Sequence, residues 1–272
     1  MLKKRIPVDP YEVRKIILEQ SHRARVGHIG CSLSIADILS VLYSEILNIA
    51  SPEDPQRDRF VLSKGHAAPA LHAALYLKGW ITTEELATFH QDGTYLGIHP
   101  EINIRGVELA TGSLGQGLSA ACGMALASKI KKENWKTYAV LSDAECNEGS
   151  VWEAAAFASQ HSLSHLIAIV DWNEQQGFGY TKDIISTDLL AQKWKAFGWD
   201  VKIVDGHSSS ELSHAFNTAQ KNMPMVILAR TTLGKGVTFM EKKIEWHYLP
   251  LSDEQYVEAL ESIKLFHTRK KS

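Results

Sequence analysis

The sequence has 272 residues, of which 44% are hydrophobic, so it can bury one large core or two small ones. The formal net charge is −2 at pH 7 and the basic residues are dispersed, so neither a nucleic-acid nor a strongly anionic partner is indicated. The longest apolar runs are far shorter than the ~20 residues that a membrane helix needs, and the N-terminus lacks the apolar stretch of a secretory signal.

Short β-branched apolar runs alternate with helical patterns along the chain. A first helix is predicted after Pro10, where Val13, Ile16 and Ile17 have helical spacing. Further helices are predicted in "SLSIADILSVLYSEIL" and "GLSAACGMALASKIKK", where Gly123 is expected to allow close helix packing. Strands that are apolar throughout and separated by helices predict an α/β fold, a mostly parallel sheet with helices on both faces. The predicted strands are 59–62, 137–142, 165–171, 200–204 and 225–230.

The polar stretches and the cysteines bear on domain organisation and compartment. Each long polar stretch borders a predicted core element, as functional loops do, so we expect one domain over residues 1–272. The cysteines are three in number and widely spaced, which is typical of a reducing cytoplasm and not of a disulfide framework or a zinc ribbon.

The stretch "LSDAECNEGSVWEA" places Asp143 at the end of one predicted strand, and Asn173 ends the next. Because carboxyl ends of parallel strands meet at one sheet edge, these oxygens and the Gln175 carbonyl form a possible site for a hard cation such as Mg²⁺. The residues alone favour a simpler explanation, in which Asp143 caps a helix and Asn173 lies in a turn. Glu145 is expected to be a solvated or helix-start carboxylate.

A longer window, "LSDAECNEGSVWEAAAFASQHSLSHLIAIVDWN", resembles the thiamine-diphosphate fingerprint of transketolases, in which GDG precedes EG with WEA and an Asn follows some thirty positions after the Asp. Five other blocks resemble transketolase blocks in family order, and together the six cover about residues 13–260. The resemblance implies the thiamine-diphosphate-binding fold of the diphosphate-binding type. The five are "VGHIGCSLSIADILSVLY", "DRFVLSKGHAAPALHAALY", "GIHPE", "GVELATGSLGQGLSAACGMA" and "GKGVTFMEKKIEWH".

The resemblance implies the N-terminal subunit of a split transketolase. The pyrimidine-binding and C-terminal domains of a full transketolase are then expected on a partner chain. Such an enzyme is a transferase of carbohydrate metabolism, as in pentose phosphate conversion. It moves a two-carbon ketol group from a ketose or ketose phosphate to an aldose or aldose phosphate. We expect a heterotetramer with two copies of each chain, inactive without the partner, and neither nucleic-acid nor membrane partners.

The resemblance also assigns residues to the cofactor and its metal. Asp143, Asn173 and the carbonyl of Gln175 would hold Mg²⁺, or Ca²⁺ or Mn²⁺ in its place. Contacts with thiamine diphosphate are implied for His66, Gly112, Ser113, Leu114, Asp143, Ala144, Asn173 and His247.

Catalytic roles are implied for three histidines and a glutamate. Imidazole suits proton transfer at sugar hydroxyls because its pKa is about 6.5. His28 and His247 match residues that bridge toward the cofactor and the donor's C3 hydroxyl, and His99 matches one that binds the C1 hydroxyl. Glu148 matches a glutamate that faces the subunit interface near the cofactor-activating glutamate. The other histidines, apart from the cofactor-linked His66, are expected to be structural or surface residues.

Three departures from the family pattern are visible. Ser142, Asp143 and Ala144 replace GDG, and Ala144 would be strained if its φ had to be positive. GHIG replaces GHPG, and GSLG replaces GPLG. Other thiamine-diphosphate enzymes, such as a deoxyxylulose-phosphate synthase or the α subunit of a 2-oxoacid dehydrogenase, and a non-catalytic paralogue remain as alternatives. A nicotinamide-binding Rossmann protein is disfavoured because GxGxxG is missing after the first strand.

Overall fold

Five parallel strands form the central sheet, in the order β1-β2-β3-β7-β6. The computed structural model describes residues 7–218 and 222–271, so the ends of the predicted 1–272 domain lie outside the described residues. The strands are β1 (Arg59–Leu62), β2 (Thr137–Ser142), β3 (Leu166–Trp172), β6 (Asp200–Asp205) and β7 (Met225–Arg230). The predicted α/β fold is confirmed, and each predicted strand agrees with an observed one to within a residue at either end.

A second, two-stranded antiparallel sheet follows β3 directly. It pairs β4 (Gln175–Gln176) with β5 (Gly179–Tyr180), and the sequence analysis did not predict it. A strand of two residues is too short to show a hydrophobic periodicity, so the sequence pattern could not predict it.

Helices cover both faces of the sheet. The α-helices are α1 (Pro10–Ala24), α2 (Ile29–Ser34), α3 (Ala36–Val41), α4 (Ala68–Leu77), α5 (Thr83–Ala87), α6 (Gln116–Lys131), α7 (Gly149–Gln160), α8 (Thr181–Ile184), α9 (Leu190–Ala196), α10 (Ser209–Asn217) and α11 (Asp253–Lys271). A π-helical turn, Leu42–Ile46, extends α3, and short 3₁₀ turns cover Gly65–Ala67, Ala144–Asn147 and Ile244–His247.

Alternate strand residues divide the core into two layers. On one face, Ile169 and Ile227 pack with residues of α1, α3, α4 and α10. On the other face, Val170 and Leu228 pack with residues of α6, α7 and α9. All four side chains are fully buried, and this explains why β3 and β7 carry apolar residues on both faces, whereas the edge strand β6 is partly exposed.

Two features of the helices bear on the predictions. Gly123 of α6 is exposed and a Cβ placed there meets nothing within 4 Å, so the expectation that it permits close helix packing is wrong within this chain. In the described part of the chain, no helix combines the length and apolarity needed to cross a membrane.

Candidate active site

Loops at the carboxyl edge of β1, β2 and β3 surround a cavity of about 430 Å³. The loop before α6 and the turns before α2 and α11 complete its wall. Nearly all the residues singled out from the sequence line it, although they come from positions far apart in the chain. They are His28, His66, His99, Gly112, Leu114, Ala144, Glu148, Asn173, Gln175 and His247.

Two of the singled-out residues are placed differently. Ser113 is exposed and is not part of the cavity wall, unlike its neighbours Gly112 and Leu114. Asp143 is fully buried and is likewise not part of the wall, although its neighbours Ser142 and Ala144 line the cavity.

Asp143 joins the ends of β2 and β3. Its Oδ1 accepts a hydrogen bond from the Ala144 N–H at 2.8 Å, and its Oδ2 accepts one from the Glu174 N–H at 2.7 Å. The capping role that the residues alone favoured is therefore present in the structure. Burial raises the pKa of the Asp143 carboxyl to about 7, and the nearby Asp171 carboxylate adds to the effect.

Asn173 and Gln175 lie on the turn that leaves β3. The Asn173 Oδ1 accepts a hydrogen bond from the Gln175 N–H at 3.0 Å, so its expected turn role is also present. The Gln175 Oε1 is buried and has no hydrogen-bond partner among the described residues. Since Asp143 bonds the Glu174 N–H, its carboxylate touches the same short loop as these two residues.

This donor set fits a hard divalent cation. The Asp143 carboxylate, the Asn173 amide oxygen and the predicted Gln175 backbone carbonyl are all oxygen donors, with neither thiolate nor imidazole among them, and such oxygen ligands suit Mg²⁺. A carboxylate whose pKa is raised by burial also gains from a cation, because the cation offsets the cost of its charge. The structure thus allows capping and metal binding by the same residues.

Three histidines form a triangle on the cavity wall. The ring centroids of His28, His66 and His247 lie 5.5 to 5.6 Å from one another. His99 lines the same cavity beside Gly112, where an added Cβ would lie 3.0 Å from the His99 Cδ2. The fold thus brings together the four histidines that the sequence resemblance selected.

The site histidines are neutral at neutral pH. Burial lowers the pKa of His28 and His99, and lowers that of His66 well below its ordinary value. Burial also lowers the pKa of His247 to about 4, with a further contribution from His28. Neutral imidazoles can both accept and donate hydrogen bonds, so they can bind hydroxyl groups in either role.

A buried ion pair at the cavity was not predicted from the sequence. The Lys64 Nζ pairs with Asp171, and both side chains are almost completely buried. Asp171 also accepts a hydrogen bond from the Ser34 Oγ at 2.7 Å and from the Asn173 Nδ2 at 3.0 Å. This last bond fixes the orientation of the Asn173 amide. An acidic residue inside the apolar run "LIAIVDW" was the signal that could have revealed it.

Glu145 was expected to be a solvated or helix-start carboxylate: it does lie at the start of the Ala144–Asn147 turn, but the expectation that it is solvated is wrong. Its side chain is fully buried and accepts hydrogen bonds from the Ser63 hydroxyl and, at 2.7 Å, from the Gly115 N–H. Burial raises the pKa of the Glu145 carboxyl, and these donors oppose the effect. Glu145 therefore ties the loop before α6 to the end of β2.

The departures from the family pattern fit the local backbone. Ala144 begins a 3₁₀ turn without a positive φ, so the strain expected from the loss of glycine does not arise. Within the segment "TGSLGQG", Gly112 and Gly115 have positive φ, of 156° and 85°, which glycine adopts readily. At Gly115 a Cβ would also lie 2.7 Å from the Glu148 Cβ.

Comparison with known proteins identifies the family. Residues 10–270 match the model of the thiamine diphosphate binding domain of transketolase. The chain belongs to this family. The predicted transketolase resemblance is confirmed, and with it a transferase family whose domain binds thiamine diphosphate.

Two similar relatives have nearly the same length as this chain. A 6-deoxy-6-sulfo-D-fructose transketolase subunit from Clostridium sp. is 43% identical over 93% of this chain and 94% of its own. An apulose-4-phosphate transketolase subunit from Phocaeicola vulgatus is 39% identical over 92% of this chain and 90% of its own. Both names describe subunits of transketolases.

Longer transketolases contain the same fold. The crystal structure of the transketolase from Campylobacter jejuni superposes with a TM-score of 0.89 and 32% identity. The match covers 97% of this chain but 43% of that one. This chain thus corresponds to less than half of the longer enzyme.

Proposed function

We propose that this chain is the diphosphate-binding subunit of a split transketolase that transfers a two-carbon ketol group between sugars or sugar phosphates. The observation that carries the proposal is the single cavity lined by His28, His66, His99 and His247 above the Asp143 loop. The two relatives of nearly equal length, both named as transketolase subunits, support the split arrangement. On this view the chain is a single domain.

Asp143, Asn173 and the carbonyl of Gln175 would hold Mg²⁺, or Ca²⁺ or Mn²⁺, and through it the diphosphate. Gly112, Leu114, Ala144 and His66, all in the cavity wall, would contact the cofactor, and Ser113 beside them would do so through its backbone. When bound, thiamine diphosphate supplies the carbanion chemistry that breaks and forms the bond next to a ketose carbonyl.

The histidines would handle the protons of the sugar. Because burial keeps His28 and His247 neutral, each can accept a hydroxyl proton and return it, which is general acid–base work at the donor's C3 hydroxyl. His99, also neutral, would hold the C1 hydroxyl. Their convergence on one cavity lets a single bound sugar reach all three.

A partner chain with a pyrimidine-binding domain would complete the site. Glu148 is exposed at the N-terminus of α7 on the cavity rim, where a partner can reach it. We infer a heterotetramer with two copies of each chain. The free cysteines of this chain are consistent with a cytoplasmic location.

The experiment is a ketol-transfer assay of this chain with and without the protein encoded beside it, in the presence of thiamine diphosphate and Mg²⁺. Donors include 6-deoxy-6-sulfo-D-fructose and apulose 4-phosphate, the sugars in the names of the two relatives. We expect turnover by the pair and none by either chain alone. Robust turnover by this chain alone, or pyruvate consumption in place of ketol transfer by the pair, contradicts the proposal.

A further inference from the structure

A thiol lies among the histidines of the cavity and has no part in the proposed function. Cys31 belongs to α2, and its Sγ lies 3.1 Å from the Nδ1 of His247. One ligand atom each from His28, Cys31 and His247 can be chosen so that all three lie within 4.8 Å of one another. All three residues line the cavity.

The backbone holds the three side chains in this arrangement. The His28 N–H donates a hydrogen bond to the His247 carbonyl at 3.2 Å, which joins the start of α2 to the Ile244–His247 turn. Cys31 is one helical turn after His28, so α2 fixes the spacing of these two. The His28 Nδ1 is buried and has no hydrogen-bond partner in the part of the chain that the structure describes, as a nitrogen available to a ligand would be.

The chemistry of the cluster differs from that of the Asp143 site. Two imidazoles and one thiol form a borderline-soft ligand set, which Zn²⁺ prefers and Mg²⁺ avoids. Zn²⁺ commonly takes three protein ligands and leaves its fourth position to water or to another small ligand. The cavity of about 430 Å³ provides room for that fourth ligand.

We propose that His28, Cys31 and His247 form a second metal site, selective for Zn²⁺ and similar thiophilic divalent ions. Binding replaces the thiol proton by the metal, and that proton passes to solvent. Each neutral imidazole donates a lone pair, and no group is oxidised or reduced. One consequence rests on the proposed function: a metal here occupies the imidazoles assigned to the sugar, so metal and sugar exclude each other.

The test is metal binding by the full chain alone, without thiamine diphosphate or partner, so it does not depend on turnover. Cd²⁺ is the spectroscopic probe, because a Cd²⁺–thiolate bond gives an ultraviolet charge-transfer band. Zn²⁺ affinity is measured by calorimetry in excess Mg²⁺. We expect one equivalent of metal and the charge-transfer band in the wild-type chain.

Matched variants decide the outcome. Cys31→Ser should abolish the band and weaken Zn²⁺ binding at least ten-fold. Cys122→Ser, which changes another buried cysteine, and Asp143→Asn, which changes the oxygen site, should leave both intact. A band and an affinity that survive in Cys31→Ser overturn the proposal. So does loss of Zn²⁺ binding in Asp143→Asn alone, which would assign the metal to the oxygen site.

Discussion

At the scale of single residues, Asp143 shows how a buried carboxyl group costs stability. Its carboxyl is fully buried, and burial raises its pKa from 3.8 to about 7. An acid whose pKa is higher in the folded state binds its proton more tightly there than in the unfolded chain. Without a cation, the free energy of unfolding therefore falls as the pH rises from about 4 to about 7.

Replacing Asp143 by Asn removes this titration. We expect the unfolding free energy of Asp143→Asn, relative to the wild type, to increase between pH 5 and pH 8 by about 2–3 kcal/mol in Mg²⁺-free buffer. The loss of one backbone hydrogen bond in the variant costs the same at every pH. Urea unfolding at several pH values measures the difference, and a flat profile contradicts the assignment.

Two neighbouring glutamates differ in burial and in their hydrogen bonds. Glu145 accepts three hydrogen bonds in the interior, from Ser63, Gly115 and Ser142, whereas Glu148 is exposed. Glu145→Ala should lower the unfolding free energy by about 2–4 kcal/mol, because buried donors lose their acceptor. Glu148→Ala should change it by less than about 0.5 kcal/mol. Equal effects of the two substitutions in urea unfolding would disagree with this account.

The burial of Glu145 illustrates which features of the site the sequence could predict and which it could not. The histidines were found because the family resemblance names their positions, whereas Asn173 was also found from its place at the end of a predicted strand. The burial of Glu145 depends on donors 30 and 82 residues away in the chain. Lys64 likewise meets Asp171 across 107 residues. Local composition gives no signal for such contacts, so only the fold reveals them.

At the scale of elements, most strands were predictable because each contains an apolar run bordered by polar residues, and β6 was predictable from its β-branched residues although Lys202 interrupts them. The register that places Ser142 beside Asp171 follows from neighbouring parallel strands, and it brings Asp143 and Asn173 to one edge. The loop before α6 was harder to interpret. The close packing around Gly115 and the open surroundings of Gly123, which lies in α6 itself, were not predicted.

Alanine at these two glycines should have opposite effects. Gly115→Ala places a side chain at φ of 85° and near Glu148, so we expect a loss of roughly 2–3 kcal/mol in the free energy of unfolding. Gly123→Ala adds a methyl group in open space on α6, so we expect a gain of about 0.5–1 kcal/mol. Thermal unfolding of both variants is the measurement. Destabilisation by Gly123→Ala would show that α6 packs against something at that position.

At the scale of the whole molecule, the cavity opens beside an apolar rim. Phe178 is 93% exposed, and Ile184 and Ile185, which also line the cavity, are 39% and 51% exposed. Contiguous exposed apolar side chains commonly mark an interaction surface. In the proposed complex, this rim lies where the partner chain completes the site.

Phe178→Asp should therefore weaken association with the partner chain at least ten-fold while leaving the fold of this chain unchanged, because the substitution removes apolar contact and buries a charge. Val257→Asp on α11, which is 57% exposed, is the matched control and should associate normally. Analytical ultracentrifugation of the mixed chains measures both. An equal affinity for the two variants would exclude the rim from the interface.

The central claim is that Asp143 and Asn173 hold thiamine diphosphate through a divalent cation. Calorimetric titration of the assembled chains with thiamine diphosphate tests it most directly, with and without Mg²⁺ and with wild-type or Asp143→Ala protein. The account predicts binding only by the wild type with Mg²⁺, and a loss of at least a hundred-fold in affinity in the other three cases. Binding of equal affinity without Mg²⁺, or by the Asp143→Ala protein, would contradict it.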